Sequence, residues 1–348
     1  MENETLLPEK ENTPISDKTP TSNESTPLFR NRIELEALRE SVAQIRSEVA
    51  KLVVGQHQNI DLMIAAILAG GHILLEGVPG VAKTLTAKVI SKVMDIDFSR
   101  IQFTPDLMPS DVIGTNIFNP KTTDFEFRKG PIFSNVVLID EINRAPAKTQ
   151  SALFEVMEER QITISNYSFK MDAPFMIIAT QNPIEQEGTY RLPEAQLDRF
   201  IFKLEVSYPS LSEEINIIAG FHERLDANQL ELIDALISKA QLLEYRNLVH
   251  HVKVDVSLIE YIAKIIDSTR KNNALYLGAS PRASIAILVA SKAFAAMNGR
   301  DFVTPDDIKT MVYPVLNHRL ILTPEKEMEG VSVKSVIKQI VESVEVPR

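Results

Sequence analysis

The sequence predicts an α/β chain, a mostly parallel sheet flanked by helices, followed by a smaller helical part. Three observations carry this reading. Short aliphatic runs alternate with helical periodicity between residues 33 and 204, the pattern of strands joined by helical crossovers. One strand-to-helix joint, residues 77–84, has the composition of a phosphate-binding loop. After Pro209 the strand candidates thin out and helical periodicity continues almost alone.

Composition bounds the problem. At 348 residues the chain is too long for one simple core and fits two domains with a tail. A hydrophobic share of 44% supplies the cores of a soluble globular protein. The absence of Cys excludes disulfides, thiolate zinc sites and Cys nucleophiles. It also fits a reducing compartment, so a cytoplasmic location is expected. The acidic start Met1-Glu2-Asn3-Glu4 is followed by no apolar run of the signal-peptide kind. The longest apolar stretch, 62–75, is broken by Gly70-Gly71-His72 and is too short to span a bilayer, so no transmembrane segment is expected. A formal net charge of −10 without any basic run disfavours nucleic acid and favours protein partners.

Residues 1–30 are rich in Glu, Asn, Thr, Pro and Ser, and are expected to form a disordered tail. From Ile33 onward Leu35, Leu38, Val42, Ile45 and Val49 recur at helical spacing, and a second helix is expected over 58–69. The run 72–76 reads as a buried strand, followed by a helix to about Met94 and a second strand over 100–104. Residues 105–132 are irregular, with a short hairpin or helical insert within 112–118 and 125–127. The aliphatic run 135–140 has the character of a central parallel strand. A helix over 149–159, a hairpin over 161–170 and strands over 175–179 and 200–204 complete the sheet. Further helices are expected over 211–225, 228–243, 255–271, 281–298, 304–316 and about 332–344. Thr304-Pro305 starts one of them, with Thr as N-cap and Pro in the first turn. The expected division is a tail over 1–30, an α/β nucleotide-binding domain over 31–208 and a helical domain over 209–348.

The run Gly77-Val78-Pro79-Gly80-Val81-Ala82-Lys83-Thr84 joins the first strand to its helix. In that setting backbone N–H groups and a helix N-terminus converge on an anion. Lys83 would reach the β- and γ-phosphates of a nucleotide, and the Thr84 hydroxyl would coordinate Mg²⁺. Ala82 stands where the pattern G-x-x-x-x-G-K-[ST] has its second Gly. If that residue needs a positive φ, its methyl costs roughly 1–2 kcal/mol. Taken alone, the stretch also fits an ordinary βα turn with a surface lysine.

Asp140-Glu141 ends the most hydrophobic strand, and a carboxylate at the carboxyl end of a parallel strand sits beside the phosphate loop, where such sheets place ligands. Asp140 can hold Mg²⁺ through its water shell, and Glu141 can polarise an attacking water. Two solvated carboxylates in a loop are the plainer account.

Five ordered stretches resemble the MoxR family of AAA+ ATPases. They are the loop at 77–84, Ile139-Asp140-Glu141-Ile142-Asn143-Arg144-Ala145-Pro146, and Ala179-Thr180-Gln181-Asn182-Pro183 with its continuation to Tyr190. Leu192-Pro193-Glu194-Ala195-Gln196-Leu197-Asp198-Arg199-Phe200 and Gly278-Ala279-Ser280-Pro281-Arg282 extend the match, which covers about residues 33–320. The family's phosphate loop itself carries Ala before Lys.

The resemblance implies a P-loop AAA+ core with strand order 5-1-4-3-2, an insert near 105–132 and a C-terminal helical lid. It also implies ATP and Mg²⁺ as ligands and a homo-oligomeric ring, usually a hexamer. Hydrolysis in such rings remodels or matures client proteins, often ones with von Willebrand factor A domains or metal centres. Asn182 matches the position that orients the lytic water, although an Asn before Pro is also a favoured turn residue. Arg199 matches the arginine finger and Arg282 the second sensor; each could otherwise be a surface arginine. Val54 resembles an apolar contact to adenine, with a helix–helix turn at Gly55 as the competing account. Gly77, Pro79, Gly80, Val81 and Ala82 complete the expected nucleotide contacts, and Arg144 fits its motif without an assignable role.

Other chemistry falls away. His250-His251 lacks metal-ligand spacing, Asp301, Asp306 and Asp307 do not form a calcium loop, and no G-x-S-x-G elbow occurs. A nucleic-acid motor of related fold and a nucleotide-gated scaffold with negligible turnover stay open as alternatives.

Overall fold

Two helices precede the sheet in the computed structural model, which describes residues 34–121, 123–164, 167–182, 190, 192–224 and 229–347. The expected tail over 1–30 and the motif residues 183–189 lie outside the described residues. Helix α1 (Glu36–Ala50) buries Leu38, Val42, Ile45 and Val49, one stripe at spacings of three and four. Helix α2 (His57–Ala69) is apolar nearly all round and is buried along most of its length. It stops at Gly70, whose φ of 71° places it in the left-handed region that suits a glycine C-cap.

The chain then runs through β1 (His72–Gly77), α3 (Lys83–Val93) and β2 (Phe98–Gln102), the last two residues earlier than its sequence pattern suggests. Residues 105–132 hold both forms of insert that the sequence allows. These are a short helix α4 (Pro109–Ile113) and an antiparallel hairpin of β3 (Gly114–Asn119) and β4 (Asp124–Lys129). Next come β5 (Val136–Asp140), α5 (Ala147–Glu159), the hairpin β6 (Gln161–Ile164) and β7 (Tyr167–Lys170), and β8 (Met176–Gln181). A one-turn helix α6 (Glu194–Leu197) leads into β9 (Phe200–Val206).

The central sheet has the order β2-β5-β8-β1-β9, with every neighbouring pair parallel. Numbering only these five strands along the chain gives 2-3-4-1-5, which is the expected 5-1-4-3-2 read from the other edge. Successive residues of β5 enter opposite layers: Val136 and Leu138 join one buried cluster, Val137 and Ile139 the other. That is the period-two alternation of a strand covered on both faces. Helix α5 covers one face through Leu153, Phe154, Val156 and Met157. Helices α1, α2 and α3 cover the other.

Beyond β9 lie α7 (Leu211–Arg224), α8 (Lys239–His250), α9 (Val256–Lys271), a short β10 (Leu275–Leu277) and α10 (Pro281–Met297). Then follow α11 (Pro305–Leu316), β11 (Ile321–Leu322), α12 (Pro324–Met328) and α13 (Val333–Ser343). The predicted capping at Thr304 is present: its side chain accepts the Asp307 N–H while Asp307 bonds back to the Thr304 N–H. The buried residues of α8 to α11 and α13 share one cluster with α1, α2 and α3.

The helix expected over 228–243 is replaced by a 3₁₀ turn at Gln229–Leu232, a strap, and α8. The strap is held from outside. The Leu236 N–H donates to the Val93 carbonyl at 2.8 Å, and the Asp234 N–H to the Glu48 carboxylate at 2.9 Å. Ile233 and Ile237 are buried beneath it, and Ser238 then caps α8. These tertiary bonds outweigh the local helical preference. The two-residue pairing of β10 with β11 is too short to leave a sequence pattern.

Candidate active site

The phosphate loop is built by backbone conformation. Gly80 has a φ of 87°, and an added Cβ there would meet nothing within 4 Å, so its freedom of φ rather than close packing requires glycine. Ala82 also adopts a positive φ, 57°, the strained case foreseen for this position. Gly77 is needed for another reason: a Cβ there would lie 2.5 Å from the Val206 carbonyl oxygen of β9. It lines neither cavity described below.

Lys83 crosses the loop and donates from Nζ to the Gly77 carbonyl at 2.6 Å. Helix α3, which starts at Lys83, has no side-chain N-cap, so its first N–H groups remain available to an anion. A cavity of about 400 Å³ lies over this turn, lined by Pro79, Gly80, Lys83, Thr84, Asp140, Glu141, Thr180 and Asn182 among others. Five predicted residues of the phosphate chemistry, Lys83, Thr84, Asp140, Glu141 and Asn182, thus meet at the carboxyl ends of β1, β5 and β8.

A second cavity, of about 860 Å³, opens between the 52–59 segment, the strand-to-helix turn at 205–209 and α7. Val54, Gln56, Val81, Ile217 and Phe221 line it. The Gln56 side chain donates to the Val81 carbonyl at 3.2 Å and ties the 52–59 segment to the phosphate loop. Pro79, Gly80, Ala82 and Leu85 border both cavities, so the two form one groove with a polar and an apolar end. The dimensions and chemistry fit a nucleoside triphosphate. Thr84 and Asp140 supply the hard oxygen donors that a Mg²⁺ ion takes.

The two carboxylates at the end of β5 are held differently. Asp140 is buried and accepts from Arg100 Nε at 2.6 Å and from the Thr180 hydroxyl at 3.2 Å. That hydroxyl in turn accepts the Glu141 N–H at 3.0 Å. Glu141 sits at φ 58°, which turns its side chain out of the strand direction. Its Oε2 accepts from Gln102 Nε2 at 3.0 Å and lies 2.8 Å from Arg144 Nε. Arg144, whose role the motif leaves open, is thus the cation beside Glu141.

Arg100 and Gln102 are missing from the sequence reading. They alternate on β2, which pairs with β5 in a register that places Gln102 opposite Asp140. The signal was a pair of polar residues two apart on a strand, pointing to one face. It gains meaning only once β2 is known to neighbour β5.

Arg199 and Arg282 are brought together, but away from this groove. Arg282 donates to Glu158 Oε1 at 2.7 Å, and Arg199 Nε lies 3.8 Å from Glu158 Oε2. Arg199 also donates to the Phe154 carbonyl. Glu158 is near the end of α5, and Arg199 immediately precedes β9, which runs parallel to β1 with His72 opposite Phe200. Both arginines therefore lie at the amino end of the sheet, while the phosphate cavity lies at its carboxyl end. Strands of six residues at roughly 3.3 Å each separate the two ends by about 20 Å.

Comparison with known proteins agrees with this architecture. The profile of the ATPase family associated with various cellular activities (AAA) matches residues 72–202, and an AAA lid domain profile matches 267–340. YeaC of Bacillus subtilis is 44% identical over 90% of this chain and 97% of its own. Chaperone MoxR1 of Mycobacterium tuberculosis is 44% identical over 86% of this chain and 81% of its own. A crystal structure of a presumed ATPase from Cytophaga hutchinsonii superposes with a TM-score of 0.84 at 44% identity, covering 90% of this chain and 97% of that one. The groove, the strand order and these relatives agree: the chain belongs to the MoxR family of AAA+ ATPases, nucleotide-binding proteins that hydrolyse ATP.

Proposed function

We propose that this ATPase works as a ring of identical subunits, six in number, that remodels or matures client proteins such as those with von Willebrand factor A domains or metal centres. The observation that carries the ring is the position of Arg199. At about 20 Å from its own phosphate cavity, an arginine side chain cannot reach the nucleotide there. A second copy, set with its Arg199 and Arg282 over the groove of the first, supplies both cations to a transferring phosphoryl group. The relative named Chaperone MoxR1 supports action on proteins.

Within this reading the first N–H groups of α3 and Lys83 hold the β- and γ-phosphates, and Val54 packs on the base. Lys83 gives up the Gly77 carbonyl to do so. Thr84 and Asp140 hold Mg²⁺, which when bound neutralises charge on the phosphate oxygens. Glu141 accepts the proton of the attacking water, and Asn182 orients that water. Gln102 and Arg144 both hold Glu141 through the one oxygen Oε2 and so fix the orientation of its carboxylate.

Mixing two variants tests the reading. Glu141→Gln should bind ATP and hydrolyse it roughly 10²–10⁴ times more slowly, the scale of a positioned general base. Arg199→Ala should also bind ATP while losing about 10³–10⁵ in turnover. Mixed rings of the two should recover part of the activity, because some interfaces pair an intact Glu141 with an intact Arg199. Mixed rings that recover none would rule out a finger supplied by the neighbour.

A further inference from the structure

Helix α7 spans 14 residues, yet none of its described side chains is buried. Leu211, Ile215 and Ile218 are 79%, 57% and 62% exposed. A helix this short gains little from its own hydrogen bonds and depends on packing of an apolar face. The face divides into two sectors. Glu213, Glu214, Ile217 and Phe221 border the nucleotide groove. Leu211, Ile215 and Ile218, at spacings of four and three, form a second stripe about a third of a turn round the helix axis. That second stripe borders no cavity described here.

We propose that the stripe of Leu211, Ile215 and Ile218 is covered by a second copy of this chain, through the edge that carries Arg199 and Arg282. The inference rests on the ring reading and names the surface that closes it. Two complementarities select this occupant. The groove side is acidic, since Glu205, Glu213 and Glu214 border the larger cavity. The opposite edge is rich in arginine. Arg160 and Arg246 converge on Gly70, where a Cβ would lie within 3.6 Å of both guanidinium groups; Arg160 donates to the Gly70 carbonyl, and neither makes an ion pair among the described residues. Two close guanidinium groups without a carboxylate invite an acidic neighbour. The same edge bears Ile285, 62% exposed and one helical turn beyond Arg282. A contact between two different faces of identical copies propagates head to tail, and it gives a ring when the rotation between copies closes.

The test is sedimentation of the full chain with a non-hydrolysable ATP analogue and Mg²⁺. Leu211→Ser/Ile215→Ser/Ile218→Ser should stay monomeric where the wild-type chain assembles. Its affinity for a fluorescent nucleotide should stay within about threefold of wild type, as expected for surface changes outside the groove. Arg246→Glu/Ile285→Asp should also be monomeric. Mixed, the two variants retain one good interface per pair and should form one-to-one dimers that grow no further. Assembly of the triple variant like wild type would overturn the stripe as an interface while leaving the ring intact. A wild-type chain that never assembles would overturn both. Monomeric variants that give no mixed dimer would point to stripe-on-stripe contact or a client instead, and overturn the proposal. If the triple variant loses nucleotide binding as well, Ile218→Lys alone is judged by the same readings.

Discussion

Arg319 donates from Nε to the Asp198 carboxylate at 2.7 Å across 121 residues of sequence. Its Nη2 also donates to the carbonyls of Asp198 and Phe200, at 2.9 and 2.7 Å. The Ser280 hydroxyl donates to the other Asp198 oxygen at 2.9 Å. Asp198 therefore ties the start of β9 to both α10 and the end of α11. Burial lowers the pKa of Arg319, and the bond to Asp198 works against that shift.

Arg319→Leu should be severely destabilising. It removes a buried cation and takes the Nε donor from the part-buried Asp198 carboxylate, the broken-pair case, with a loss of about 3–5 kcal/mol. Urea unfolding measures it. A loss below about 1 kcal/mol, the scale of an exposed ion pair, would show that the junction is held by packing alone.

Arg100→Met should lower the Mg²⁺ concentration needed for half-maximal ATPase activity. The guanidinium sits 2.6 Å from Asp140, where it competes with a cation for the same carboxylate. Since the Arg100 side chain is half-exposed, the pair is worth about 0.5–1 kcal/mol and the shift is about two- to fivefold. A higher Mg²⁺ requirement would mean that Arg100 assists the metal site.

Stability should fall on acidification through His72. Its Nδ1 accepts the Ile177 N–H at 2.9 Å, which leaves the proton on Nε2 to meet the Met157 carbonyl at 3.2 Å. Burial, chiefly, with the charges of Arg160 and Arg246, brings its pKa down to about 4. An unfolded His titrates near 6.5. Between the two values the unfolded chain binds the extra proton, so stability is full above about pH 6.5 and is lost as pH falls towards 4. The loss between pH 7 and 5 is about 2 kcal/mol. His72→Gln should flatten the pH dependence of the urea midpoint by that amount, and an unchanged dependence would refute the assignment.

What the sequence determined by itself is local chemistry. The phosphate loop at 77–84 is one contiguous turn, and its Lys83 and Thr84 follow directly from the order of residues. Asp140-Glu141 is marked by the aliphatic run that carries it, because a strand covered on both faces must be apolar on both. The strand order came from the resemblance, since no pattern within a strand names its neighbour. Tertiary structure decided the partners. Arg100 and Gln102 meet Asp140 and Glu141 only because β2 lies beside β5 in one register. Arg199 and Arg282 share Glu158 only because α5 returns to the amino end of the sheet. The stripe on α7 has the same periodicity as a buried one, and periodicity cannot say what a face will meet. Burial also made His72 a neutral staple. Its charge depends on the solvent removed around it, and that is a property of the packed chain rather than of its order.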